Sequence, residues 1–155
     1  MHIRTGTPED ASALAGLISS FQALLTLDPS GAGAEQYLAS VSEEAERQYL
    51  HSHRYNYFVS EVQGDIAGFI AMRDSTHLFH LFVANKHQGQ GLARALWSHA
   101  RERATSDRGA CEFTVNSSLN AVVVYERFGF VRSGVQVQTH GIAFVPMKLT
   151  VTNDT

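Results

Sequence analysis

The stretch Phe82-Val83-Ala84-Asn85-Lys86-His87-Gln88-Gly89-Gln90-Gly91-Leu92-Ala93-Arg94 constrains this 155-residue chain more than any other part of it. An apolar, strand-like run ends at Val83, two glycines follow, and a helical pattern begins at Leu92. Glycines at such a junction permit a left-handed turn and let a ligand come close to the backbone. The first turn of the helix adds unpaired N–H groups and the positive end of the macrodipole. A turn of this kind binds anions, a pyrophosphate in particular. Lys86, His87 and Arg94 add positive charge nearby. The segment has no Gly-Lys-Ser/Thr ending and no complete Gly-x-Gly-x-x-Gly pattern, which disfavours ATP and NAD. Taken alone, the glycine pair also fits a plain strand-to-helix connection with a glycine cap.

The rest of the chain supplies elements around that turn. Thr7-Pro8-Glu9-Asp10 predicts a helix start after a short strand, because Thr caps, Pro suits the first helical position and the acids suit the positive helix end. Leu14, Leu17, Ile18, Phe21 and Leu25 continue that helix. Turn residues at 28–33 lead to a second helix ending near His53, with Tyr37, Leu38, Val41, Ala45 and Tyr49 as its apolar stripe and Glu43, Glu44 and Glu46 mostly outside. Strands are predicted over 55–62, 66–72 and 76–84 as an antiparallel meander. A helix from Leu92 to about Thr105 then crosses to a parallel strand over 110–115. A short helix over 119–127 closes at Gly129, and strands over 130–138 and 142–149 flank a turn at His140-Gly141. The order is βααβββαβαββ: an α/β chain with a mixed, mainly antiparallel, twisted sheet flanked by helices. It reads as one domain over residues 1–150, with a fraying tail over 151–155.

Several function classes are disfavoured. A formal net charge of −3 gives no general attraction to nucleic acid. No apolar run reaches the roughly 18–20 residues that span a bilayer, so membrane insertion is not expected. Cys111 is the single cysteine and has no partner for a disulfide. With no secretory-type apolar run at the start, a cytoplasmic location is the expectation. His51-x-His53 lacks the further ligands of a closed metal site, and no metal is expected.

The turn Gln88-x-x-Gly91-x-Ala93 resembles the acetyl-CoA signature of GNAT acetyltransferases, Gln/Arg-x-x-Gly-x-Gly/Ala, at every defined position. Residues 116–130, Asn-Ser-Ser-Leu-Asn-Ala-Val-Val-Val-Tyr-Glu-Arg-Phe-Gly-Phe, resemble that family's later Asn-x-x-Ala-x-x-x-Tyr-x-x-x-Gly-Phe segment. The element order is also similar, so the likeness covers most of the chain; the first two helices contribute least. The resemblance implies the GNAT acyl-CoA N-acyltransferase fold. It also implies an N-acetyltransferase that moves an acetyl group from acetyl-CoA to a primary amine by direct attack in a ternary complex. A small-molecule amine is the expected acceptor. A peptide or protein amine, and a regulatory module that binds coenzyme A without efficient catalysis, are the alternatives. Family relatives are frequently dimers, so a homodimer is compatible with the likeness.

Residue by residue, the resemblance assigns the backbone of Phe82 and Val83 to the pantetheine arm and acetyl carbonyl. It assigns Gln88, Gly89, Gln90, Gly91, Leu92, Ala93 and Arg94 to the pyrophosphate, and Asn120 and Asn116 to further cofactor contacts, although either Asn also suits a helix cap. Tyr125 matches the tyrosine that protonates the departing thiolate; packing against the sheet is its bland alternative. His77 aligns with the family's base on the fourth strand. His80 is a second candidate, and a water relay a third. Simple alternation puts His77 and His80 on opposite faces unless a bulge intervenes.

Overall fold

The computed structural model describes residues 2–151, so the tail expected over 151–155 lies outside the described residues from residue 152 onward. Strand β1, His2–Thr5, leads to the helix start expected at Thr7. There the Thr7 N–H donates to Asp10 Oδ2 at 2.8 Å, and a 3-10 turn, Pro8–Asp10, runs into helix α1, Ala11–Ser19. The predicted first helix does not continue unbroken. The Ser20 hydroxyl takes the Leu17 carbonyl at 2.6 Å, and the Phe21 N–H turns to Ile18 O at 3.0 Å. This side-chain competition for a helix carbonyl separates α1 from a short helix α2, Gln22–Leu25.

The second predicted helix is also two: α3, Glu35–Ser40, and α4, Glu43–His51. Ser42 starts the latter by accepting the Ala45 N–H at 3.2 Å. On α4 one expectation is corrected: Glu46 is not outside but 0% exposed.

The remaining elements are β2, Tyr55–Val62; β3, Asp65–Arg73; β4, His77–Val83; α5, Leu92–Arg108; β5, Glu112–Ser118; α6, Val122–Phe128; β6, Val131–Arg132; β7, Val137–Thr139; and β8, Ile142–Thr150. They form one sheet in the order β1-β2-β3-β4-β5-β8-β6, with β7 also on β8. Every pairing is antiparallel except that of β4 with β5. The strand expected over 130–138 is interrupted because its partner carries Pro146. Ser133 N–H donates to Pro146 O at 2.9 Å, and a residue's C=O and N–H point to the same side of a strand. The missing proline donor therefore falls on the β6–β7 side, and the ladder lapses there.

Two apolar layers sandwich the sheet. On one face α5 and α6 pack Leu96, Trp97 and Val122 against Phe58, Ile70, Leu78, Phe113 and Phe130. On the other, Leu14 and Ile18 of α1 meet Tyr57, Val59 and Phe69. Burying a side chain the size of Phe113 or Leu14 contributes about 1.5–3 kcal/mol. Among the described residues no helix is long and apolar enough to cross a membrane.

Candidate active site

The site starts from a failure of pairing. Strands β4 and β5 are in register only at His77↔Thr114 and Leu78↔Val115. Beyond that point β4 stays with β3 as far as Val83, and β5 stays with β8 as far as Ser118. The two strands therefore splay, leaving a wedge that opens towards the glycine turn. A cleft of about 550 Å³ occupies it, bordered by Phe82 and Val83, the turn, the start of α5, Asn120 and Tyr125.

At the turn, Gly89 and Gly91 have φ of 77° and 79°, a left-handed backbone that side chains rarely adopt, and no atom lies within 4 Å of either Cβ position. The first helical bond closing at this end of α5 runs from Ala95 N–H to Gly91 O at 3.0 Å. The N–H groups of Leu92, Ala93 and Arg94 precede it and have no acceptor within the helix. Leu92 offers only its backbone, because its side chain is buried in the core. Gln88 is engaged in holding the turn: its side-chain amide donates to Val83 O at 3.1 Å and to Asn85 Oδ1 at 3.2 Å, tying the strand end to the loop. Arg94 donates to Arg127 O at 3.3 Å and lies over the Phe128 ring at 5.3 Å, so its charge stands where α5 and α6 meet. Lys86 instead reaches Asp65 at 4.0 Å.

The structure thus brings Phe82, Val83, Gln88, Gly89, Gly91, Leu92, Ala93, Arg94, Asn120 and Tyr125 around one cleft, while Gln90, Asn116 and His77 do not border it. Asn116 is exposed on the face of β5 opposite the buried Val115 and Ser117. No side-chain cap forms at the 3-10 turn Leu119–Ala121 that follows β5 or at α6 after it, so neither Asn is spent on capping there. Tyr125 is held between Phe128 and Phe130 and is 6% exposed. Burial alone pushes its phenol above the usual tyrosine range. It is therefore a protonated donor at neutral pH.

The two histidines of β4 share a face. Ala71 pairs with His80 and Met72 with Leu78, which leaves Phe79 as an extra residue. This bulge turns Phe79 and His80 to the α1–α4 side, with their ring centroids 4.1 Å apart. His77, opposite in parity to the core residue Leu78, faces the same way. It sits at the paired foot of the wedge with Nδ1 2.8 Å from Thr114 Oγ1. Burial first, then Arg73, lowers its pKa, partly offset by Asp74. His80 is 6% exposed and lies 3.0 Å from Glu46 through Nε2.

Sequence reasoning missed Glu46 as a buried group, and Arg127, Val124 and Phe128 as cleft residues. A signal existed for Glu46, which lies one turn before Tyr49 on the apolar stripe. None existed for Arg127, whose place depends on how α6 docks. Among the described residues no group of three or more His, Cys, Asp or Glu is placed to hold a metal ion.

Residues 25–151 match the family model for the acetyltransferase (GNAT) domain. A probable N-acetyltransferase family 8 member 5 of Mus musculus is 31% identical over 111 residues, covering 64% of this chain and 48% of that protein. N-acetyltransferase 8 of Homo sapiens is 29% identical over 136 residues, covering 79% and 60%. The chain spans about half the length of the curated relatives it matches. Among solved structures, a GCN5-related N-acetyltransferase from Rhodopseudomonas palustris superposes with a TM-score of 0.77 at 23% identity, covering 97% of this chain and 95% of that one. The PaiA N-acetyltransferase from Thermoplasma acidophilum, crystallised with coenzyme A, gives 0.73 at 17% identity over 96% and 98%. At these identities the structural likeness is one of fold.

Proposed function

We propose that this chain, which belongs to the GNAT acetyltransferase family, transfers the acetyl group of acetyl-CoA to the primary amine of a small molecule carrying an apolar group. The observation that carries the reading is the single cleft in which the glycine turn, the free end of β4 and Tyr125 meet. Residues 1–150 act as one catalytic unit in this reading, since the cleft draws on Phe21 and α2 near one end of the chain and on α6 near the other.

The cofactor pyrophosphate lies on the backbone of Gly89 to Arg94, with Gln88 fixing the turn and Arg94 and Asn120 at its edge. The pantetheine arm extends the sheet along Phe82 and Val83, whose strand has no partner on that side. The amine attacks the thioester from the α1–α4 face, where His77, His80 and Asn116 lie, and a β4 histidine takes the proton that the ammonium must lose. Backbone donors in the wedge stabilise the oxyanion. Tyr125 gives its proton to the departing sulfur and recovers one from the nitrogen as the intermediate collapses. A thiolate leaving in apolar surroundings is more basic than in water, which keeps it matched to a phenol raised by the same burial.

The acceptor side supports the apolar group. Phe21, Leu24 and Leu25 face Phe82 across the opening, and the charged side chains bordering the cleft, Arg94 and Arg127, are cationic. Among the described residues no carboxylate borders it, which disfavours polycations of the kind named for the spermidine and aminoglycoside acetyltransferases that share the fold. Thiol release from acetyl-CoA, measured with 2-phenylethylamine, spermidine, an aminoglycoside and a lysine peptide, tests this. The reading expects the highest kcat/KM for 2-phenylethylamine; a preference for spermidine overturns the acceptor class, and coenzyme A binding without any release favours a regulatory module.

A further inference from the structure

Behind the acceptor face lies a buried polar cluster of which the steps above leave Glu46 and Tyr57 unused. Glu46 of α4 is wholly buried, in an apolar layer where an isolated carboxylate is costly to hold. Its two oxygens have one partner each: Tyr57 of β2 donates its hydroxyl to Oε1 at 2.6 Å, and His80 Nε2 stands 3.0 Å from Oε2. Tyr57 stays a donor, because burial and the Glu46 charge push its phenol far above the usual range. A carboxylate so placed only accepts, which puts the ring proton on His80 Nε2 and leaves Nδ1 as the basic atom. The β4 bulge aims this ring to the face of the wedge from which an amine attacks, against Phe82 at 5.9 Å between centroids, and Phe82 borders the cleft.

We propose that Glu46 and His80 form the proton-accepting unit of the acetyl transfer, a role that rests on the acetyltransferase reading above. His80 Nδ1 receives, through water, the proton lost by the acceptor ammonium. Glu46 acts as a positioning residue: it fixes the tautomer and stabilises the imidazolium that forms, and Tyr57 holds its other oxygen. The balance is simple. The ammonium N–H bond breaks, an Nδ1–H bond forms, the neutral amine attacks, and His80 later returns its proton to solvent. His77 is already engaged with Thr114 Oγ1 at the closed foot of the wedge. The other titratable or charged groups near this unit are Tyr37 of α3, Tyr49 of α4, Tyr55 of β2 and Arg73 of β3, the last over the Phe79 ring. None of these is a carboxylate, so Glu46 is the anion that the imidazolium meets.

The test is the pH profile of kcat with saturating acetyl-CoA and 2-phenylethylamine, measured on the wild type, Glu46→Gln, Tyr57→Phe, His80→Gln and His77→Ala. Glu46→Gln should lower kcat at least tenfold and move the acid limb down by about one to three pH units, the usual effect of losing an opposite charge at this range. Tyr57→Phe leaves more negative charge facing His80 and should move the limb the other way, a sign that mere loosening of the core does not produce. His80→Gln should abolish the limb and His77→Ala should leave it in place. Imidazole 15N spectra should show the Nε2–H tautomer of His80 in the wild type and a mixture in Glu46→Gln. A limb unmoved in Glu46→Gln, or lost in His77→Ala, overturns this role while leaving acetyl transfer standing. No thiol release from the wild type with any amine overturns both.

Discussion

Helix α5 carries a left-handed glycine at each end, and the pair isolates what the glycine turn does. Gly91 has φ of 79° at its start and Gly109 has φ of 64° at its finish, with open space around both Cβ positions. Alanine at either position therefore meets no neighbour and costs only the left-handed strain, about 1–2 kcal/mol. For a chain of this size that lowers Tm by about 2–8 °C, and by similar amounts in the two variants. They should differ in coenzyme A affinity. At Gly91 the new methyl stands in the cleft, on the turn proposed to carry the pyrophosphate, and loss of one charge-assisted N–H bond to phosphate costs about 1.5–3 kcal/mol. Gly91→Ala should thus weaken binding by about 10- to 150-fold, and Gly109→Ala should leave it unchanged. Thermal melts and titration calorimetry with coenzyme A measure both quantities. Equal stability losses with unchanged affinity in both variants would refute the placement of the pyrophosphate on this turn.

Two further predictions concern the frame. Arg4 binds both Asp10 oxygens at 2.9 Å and, with the Thr7 N–H, holds the Asp10 carboxyl below its usual value. A depressed folded value gives stability that is present above the unfolded pKa of about 3.9 and lost as pH falls through the folded one. Asp10→Asn should therefore cost about 2 kcal/mol at pH 7 in urea melts, with the gap to wild type closing below about pH 4; a gap constant with pH contradicts the ion pair. Gly141, with φ of 77°, sits so close to the loop before α3 that a Cβ would meet Gly33 O at 2.5 Å. Gly141→Ala should cost about 2–4 kcal/mol from strain plus overlap, whereas Gly64→Ala, with φ of 83° and open space, should cost the strain alone; equal losses would show that the contact carries nothing.

What could be read from the chain was what is encoded locally. The strand-turn-helix around Gly89 and Gly91, the left-handed stop at Gly129 and the helix start at Thr7 each depend on residues a few positions apart, and each stands where the sequence put it, although at Thr7 the Asp10 carboxylate rather than the Thr side chain accepts the capping bond. The lapse between β6 and β7 depends on Pro146, which belongs to another strand, so alternation within 130–138 carried no sign of it. The breaks after α1 and before α4 come from Ser20 and Ser42, whose hydroxyls choose a backbone partner that periodicity does not describe. The bulge at Phe79 is set by the register of β3 against β4, and with it the shared face of His77 and His80. The burial of Glu46 needed two partners from distant strands, Tyr57 and His80, before a carboxylate could be held inside the layer. The cleft-facing residues of the motifs were legible because the GNAT pattern includes them, and Phe21 stood out as an aromatic that could wall an acceptor pocket; Leu24 and Leu25 were not legible, because they reach the cleft through a helix break.

The central claim is that acetyl transfer takes place in the wedge with Tyr125 as the acid. The most direct measurement is acceptor-dependent thiol release from acetyl-CoA by the wild type and by Tyr125→Phe, with coenzyme A affinity determined for both. The account predicts release by the wild type, a kcat at least about 100-fold lower in the variant, and the same affinity in both, since only the hydroxyl is removed. Equal turnover by a correctly folded variant would contradict it.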